Sequence, residues 1–204
     1  MPVTSSAPLI VGIGGTLRPR SSSERALEVS LKAARDAGAR TQMISGRDLA
    51  FPPYEIGTPR MQAAQHYISS LRACDGLIIA CPSYHAGIPG LLKNAIDYIE
   101  DLAQDERPYL SGRGVGLVVC AAGWQAIGAT LTGLRAVVHA LRGWPTPLGA
   151  GLNTLDRPAS VGADFSDKEL WQLGEVGRDV AHFALRGEPR STAVAHSAAS
   201  SAAS

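Results

Sequence analysis

The residues with the clearest chemical potential lie in short stretches between apolar runs. The first stretch is Gly14-Gly15-Thr16-Leu17-Arg18-Pro19-Arg20-Ser21-Ser22-Ser23. It follows the apolar run Pro8 to Gly14 (PLIVGIG) and leads into helical spacing that begins at Ser22. Thr16, Ser21, Ser22 and Ser23 bring short neutral donors, and Arg18 brings a charged planar fork. A helix N-terminus at the end of such a loop offers free N–H groups and a favourable dipole to an anion. A phosphomonoester suits these groups. The stretch is not a Walker loop, because GxxxxGK[ST] is absent, and Gly12-Ile13-Gly14 lacks the third glycine of GxGxxG.

The second stretch is Pro82-Ser83-Tyr84-His85-Ala86-Gly87-Ile88-Pro89-Gly90-Leu91-Leu92-Lys93-Asn94-Ala95-Ile96-Asp97, after the apolar run GLIIAC. A proline and an aromatic can wall a flat, partly apolar ring whose polar edge needs backbone donors. Lys93, Asn94 and Asp97 are read as fixing the loop and the helix start, since helix ends must be satisfied. A third stretch, Ala121-Ala122-Gly123-Trp124-Gln125, follows the apolar run GVGLVVC.

The second stretch resembles the P-x-Y-x-x-x-x-P-G-x-x-K-N-A-x-D motif of NAD(P)H-dependent FMN reductases, and every fixed position is met. The first resembles that family's G-[ST]-x-R-x-x-S-x-[ST] phosphate loop. The two lie about 65 residues apart, as a βαβαβ half requires. The resemblance covers roughly Leu9 to Leu152. It implies a flavodoxin-like fold that binds FMN and draws hydride from NADPH or NADH. It assigns Thr16, Arg18, Ser21, Ser22 and Ser23 to the FMN phosphate. Pro82, Ser83, Tyr84 and His85 would line the ribityl chain and one side of the isoalloxazine, with Gly87 admitting backbone to the ring. Ala122 and Gly123 fit the small loop at the pyrimidine edge. Trp124 departs from the small residue expected there, and is read as a gate on the acceptor pocket or a subunit contact.

Hydride transfer to a flavin needs stacked rings more than an acid–base side chain, so no catalytic residue is assigned. The leading expectation is an FMN reductase that delivers hydride to free flavin or to a partner flavin-dependent monooxygenase. A quinone or azo reductase with permanently bound FMN is the alternative, and a flavodoxin-like electron carrier a lesser one, given a net charge of only +1. The resemblance also points to a homodimer or homotetramer. Apolar residues on the helices at Leu91–Leu102 and Ala126–Arg142 suggest the same.

The near-neutral charge gives no reason to expect nucleic acid or an acidic membrane as partner. No apolar run approaches the ~20 residues of a membrane helix. MPVTSSAP lacks a basic segment followed by an apolar one, so no signal peptide is expected and a cytoplasmic location is the default. The three cysteines, Cys74, Cys81 and Cys120, lack metal spacing and are read as structural, and no metal is expected.

Elements that would position these loops follow from the alternation of apolar runs with helical patterns. Strands are expected at Pro8–Gly14, Arg40–Ser45, Gly76–Cys81 and Gly114–Cys120, with a short fifth at Pro145–Ala150. Helices are expected at Ser22–Ala37, Arg60–Ala73, Leu91–Leu102, Ala126–Arg142 and Ser166–Arg186. Residues 46–59, with three prolines and two glycines, read as loop. Ser166 and Glu169 have capping-box spacing. This order predicts an α/β fold with a five-stranded parallel sheet, order 2-1-3-4-5, and helices on both faces. One domain spans residues 1–187, and the Ala/Ser-rich residues 188–204 are expected to be disordered.

Overall fold

The computed structural model describes residues 7–156 and 165–187. The Ala/Ser-rich segment 188–204 lies outside the described residues. Five strands form one sheet: β1 (Leu9–Gly14), β2 (Arg40–Ser45), β3 (Gly76–Pro82), β4 (Gly114–Ala121) and β5 (Trp144–Asn153). Their order is β2-β1-β3-β4-β5, and all pairs are parallel. This is the expected flavodoxin-like order. The helices are α1 (Ser22–Asp36), α2 (Gln62–Ala73), α3 (Gly90–Asp97), α4 (Trp124–Ala140) and α5 (Asp167–Arg186).

The strand runs are continuously apolar because helices cover both faces. Successive side chains alternate between the two layers. Val11, Ile13, Leu77, Ile79, Leu117 and Val119 pack with α2, α3 and α4. Ile10, Ile78, Ala80, Val118 and Cys120 pack with α1 and α5. Truncating a fully buried member such as Leu77 to alanine costs about 2–5 kcal/mol. The cysteines are free and buried, and burial pushes the Cys74 and Cys81 thiols up.

Three expectations change in detail. Residues 46–59 are not all irregular, since Gly46–Leu49 forms a 3-10 turn. The helix expected over Leu91–Leu102 is α3 followed by a 3-10 segment, Tyr98–Leu102, whose tighter winding buries Tyr98, Ile99 and Leu102. The fifth strand is ten residues long, not six. It runs past Ala150 through Gly151, where a Cβ would lie 2.6 Å from Ile127, so glycine there admits α4 onto the strand. Pro145 and Pro147 are tolerated because β5 is an edge strand.

On α3 and α4, Leu92, Ala95, Ile96, Ile127, Leu134 and Val138 are buried in the core, Leu91, Leu131 and Val137 are partly buried, and Trp124 is exposed. α5 starts as expected: Ser166 accepts the Glu169 N–H, and Glu169 reaches back to the Ser166 N–H at 2.9 Å.

Candidate active site

Parallel strands deliver their loops to one end of the sheet, where open α/β folds place ligands. The loop after β1 starts at Gly15, whose N–H donates to the Ala80 carbonyl at 3.1 Å. A Cβ there would lie 2.8 Å from Leu92 Cβ, so only glycine lets this turn lie against α3. Thr16 Oγ1 accepts the Arg18 N–H at 3.2 Å. Leu17 to Arg20 are exposed, and Arg20 holds a left-handed φ of 53°. Ser21 caps α1 by accepting the Glu24 N–H, and its hydroxyl lies 3.2 Å from that of Ser23. Both serines are buried.

The loop after β3 is held from two sides. The Ser83 N–H donates to the Cys120 carbonyl at 2.9 Å. The Ser83 hydroxyl donates to the Ala126 carbonyl at 3.3 Å and accepts from buried Thr130 at 2.7 Å. Next comes a tight two-residue turn: Tyr84 and Gly87 exchange backbone hydrogen bonds of 3.3 and 2.9 Å around His85 (φ 52°) and Ala86 (φ 61°). Two left-handed residues in succession define a type I′ turn, a strained choice for non-glycine residues. Tyr84 is 59% exposed, so it is no core residue.

The loop after β4 turns at Gly123, with φ 113°. Asn153, at the end of β5, accepts both the Gly123 N–H (3.0 Å) and the Leu155 N–H (3.2 Å) on its Oδ1. α4 then begins at Trp124 itself, so this residue is helical rather than part of a loop. Its ring lies beside β5, with Cζ3 3.6 Å from where a Cβ on Gly151 would stand.

These loops enclose a cavity of about 410 Å³, within the range of small-molecule sites. Thr16, Arg18, Ser21, Ser22 and Ser23 line its β1 side. Pro82, Ser83, Tyr84 and Ala122 line the β3–β4 side. Nine of the residues singled out in the sequence therefore meet around one space. His85, Gly87 and Gly123 are in the adjoining turns and Trp124 opens α4, and none of these four lines it. Cys120, Ala121 and Thr154 line it and were missed. Thr154 directly follows β5, so the rule that ligands sit at strand C-terminal ends could have found it. The lining contains no carboxylate and no histidine. It offers an anion cradle beside a proline–tyrosine wall, not a proton-transfer pair.

The motif residues behind the cavity have structural partners. Asn94 Oδ1 accepts the Tyr54 N–H at 2.8 Å, while its Nδ2 donates to the Phe51 and Pro52 carbonyls. Lys93 and Asp97 pair with each other on the exposed side of α3. Beyond them, Arg60 makes a two-pronged pair with Asp101 (2.7 and 2.9 Å) and lies over the Tyr54 ring. The Arg60 hydrogen bonds hold the Asp101 carboxyl below the usual carboxylate range. Burial, then the Asp101 charge, pushes the Tyr54 hydroxyl up.

Comparison with known proteins gives a consistent pattern. The sequence model of the family described as NADPH-dependent FMN reductase matches residues 8–152. Over 97 residues the chain is 33% identical to an FMN reductase (NADPH) of Pseudomonas putida, covering 47% of this chain and 48% of that protein. Over 123 residues it is 29% identical to an NAD(P)H-dependent FMN reductase of Pseudomonas aeruginosa, covering 56% and 60%. The chain thus spans about half the length of the curated relatives it matches. Among solved structures, an oxidoreductase of Corynebacterium diphtheriae shares the fold with a TM-score of 0.69 at 19% identity, covering 90% of this chain and 100% of that one.

Proposed function

The chain belongs to the NADPH-dependent FMN reductase family, and from that premise we propose that it binds FMN in the cavity at the C-terminal end of its sheet. There it passes hydride from NADPH or NADH through FMN to free flavin or to a partner flavin-dependent monooxygenase. The observation that carries this reading is the joining, in one cavity of about 410 Å³, of the hydroxyl-rich start of α1 with the Pro82–Tyr84 wall.

The residues present fit the group. Ser22, Ser23 and the N-terminal turn of α1 offer a phosphate hydroxyls and first-turn N–H groups, which have no intrahelical acceptors. Arg18 supplies charge at the rim. Pro82 and Tyr84 give a flat ring an apolar side, and the Tyr84–Gly87 turn sets the tyrosine at the cavity edge. His85, Gly87 and Gly123 in the surrounding turns, and Trp124 at the start of α4, would meet only the outer parts of a larger guest. Bound there, FMN would supply the redox chemistry, hydride exchange with nicotinamide and with the acceptor. The protein positions the rings and needs no proton-transfer side chain in the lining. The unit responsible is residues 1–187, acting in the cytoplasm as a homodimer or homotetramer. Exposed Trp124, Trp144 and Trp171 are aromatic side chains suited to subunit contact.

The test is a visible spectrum and fluorescence titration of the purified protein with FMN, then NADPH and NADH oxidation with and without added FMN. Saturable quenching and flavin-dependent oxidation are expected. Failure to bind FMN defeats the reading. FMN that stays bound through purification favours the quinone or azo reductase alternative.

A further inference from the structure

Glu24 lies in the first turn of α1, directly behind the loop that faces the cavity, and none of the chemistry above uses it. A carboxylate beside a phosphate cradle is costly unless its oxygens are turned to other donors. Here both are. Glu24 Oε2 accepts the Arg20 N–H, and Oε1 accepts the Ser45 hydroxyl at 3.1 Å. Ser45 is the last residue of β2, so the side chain ties the loop after β1 to the neighbouring strand end. The loop needs such a tie. Arg20 is a non-glycine residue in the left-handed region, a conformation that persists only when its surroundings hold it. Arg20 immediately precedes Ser21, whose hydroxyl caps α1 and lies against Ser23. Gly46 reinforces the seam, since a Cβ there would lie 3.3 Å from the Thr16 carbonyl.

We propose that Glu24 is a positioning residue for phosphate recognition. By bridging the Arg20 N–H to Ser45, it holds the Arg18–Ser23 segment in the shape that accepts a phosphomonoester. The proposal rests on the flavin reading above and adds a residue that touches no ligand.

The test compares FMN with riboflavin, which has the same ring but no phosphate, by fluorescence titration, with thermal melting to confirm folding. Glu24→Ala is expected to weaken FMN about tenfold, as for a lost hydrogen bond to a charged group, and to leave riboflavin unchanged. Glu24→Gln keeps one acceptor and is expected to fall between wild type and Glu24→Ala. Ser45→Ala removes the far end of the bridge without altering α1, and is expected to weaken FMN selectively but less, so it decides the matter if Glu24→Ala does not fold. Equal weakening of both flavins, unchanged FMN affinity, or tighter FMN binding by Glu24→Gln would each overturn the proposal. Wild type that binds neither flavin defeats the flavin reading itself, whereas wild type that binds FMN beside insensitive variants defeats only the role of Glu24.

Discussion

A Cβ placed on Gly177 would stand 2.0 Å from the carbonyl oxygen of Ser30. α5 therefore presses its backbone onto α1, the helix whose N-terminus faces the cavity. Gly177→Ala is expected to destabilise the protein by about 1–3 kcal/mol or more through overpacking, despite the ~1 kcal/mol helix-propensity gain of alanine. Gly128→Ala, on the exposed side of α4 with nothing within 4 Å, should be neutral or stabilising. Urea unfolding of both variants checks the pair. Equal stabilities would mean the two helices sit further apart.

Arg18 is exposed at the cavity rim, with its backbone N–H held by Thr16. Arg18→Ala should weaken FMN binding by about 1.5–3 kcal/mol, the span for a hydrogen bond to a charged group, nearer the lower end because water screens the site. Riboflavin should bind unchanged. A flavin titration with an unaltered FMN dissociation constant counts against the phosphate assignment.

Asp101 is held below the ordinary carboxylate range, chiefly by the Arg60 hydrogen bonds. A carboxyl depressed by folding contributes stability that is present above its unfolded value of about 3.9 and is lost as pH falls through the lower folded value. Asp101→Asn should therefore lower stability by about 1–2 kcal/mol at neutral pH. The gap to wild type should narrow below pH 4. Denaturation at pH 7 and pH 3 measures it, and a constant gap would show that the pair is not the cause.

Trp124 opens α4 beside Gly151 and is 59% exposed, outside the cavity lining. Trp124→Ala should leave the FMN dissociation constant within about twofold, as for a surface substitution worth ±0.5 kcal/mol. It should raise kcat/KM for a bulky acceptor relative to a small one, because pocket shape and not electron supply limits that ratio. If the ratio stays fixed while light scattering shows a smaller assembly, the ring is a subunit anchor.

Much of this protein is legible in its residues taken in order. Uninterrupted apolar runs such as GLIIAC announce strands covered on both faces, and the β–α alternation then leaves few sheet orders. Ser166 and Glu169 mark the start of α5 because capping is a local interaction. The loops from Thr16 to Ser23 and from Pro82 to Tyr84 stand out because a strand's C-terminal end and a helix N-terminus are both local signals. Tertiary structure decided what depends on distant atoms. Thr154 is close to a recognisable strand in the chain, but the true length of β5 and its register on β4 are what bring it to the cavity. The Ser83 hydroxyl is turned toward Ala126 and Thr130 only because α4 packs above it. That Gly149 and Gly151 are where α4 closes onto β5 shows only once the helix is laid across them. Glu24 reads as an ordinary first-turn acid until β2 brings Ser45 to its side chain. Periodicity records which face of an element is buried. The direction of one side chain follows from whatever the fold packs against it.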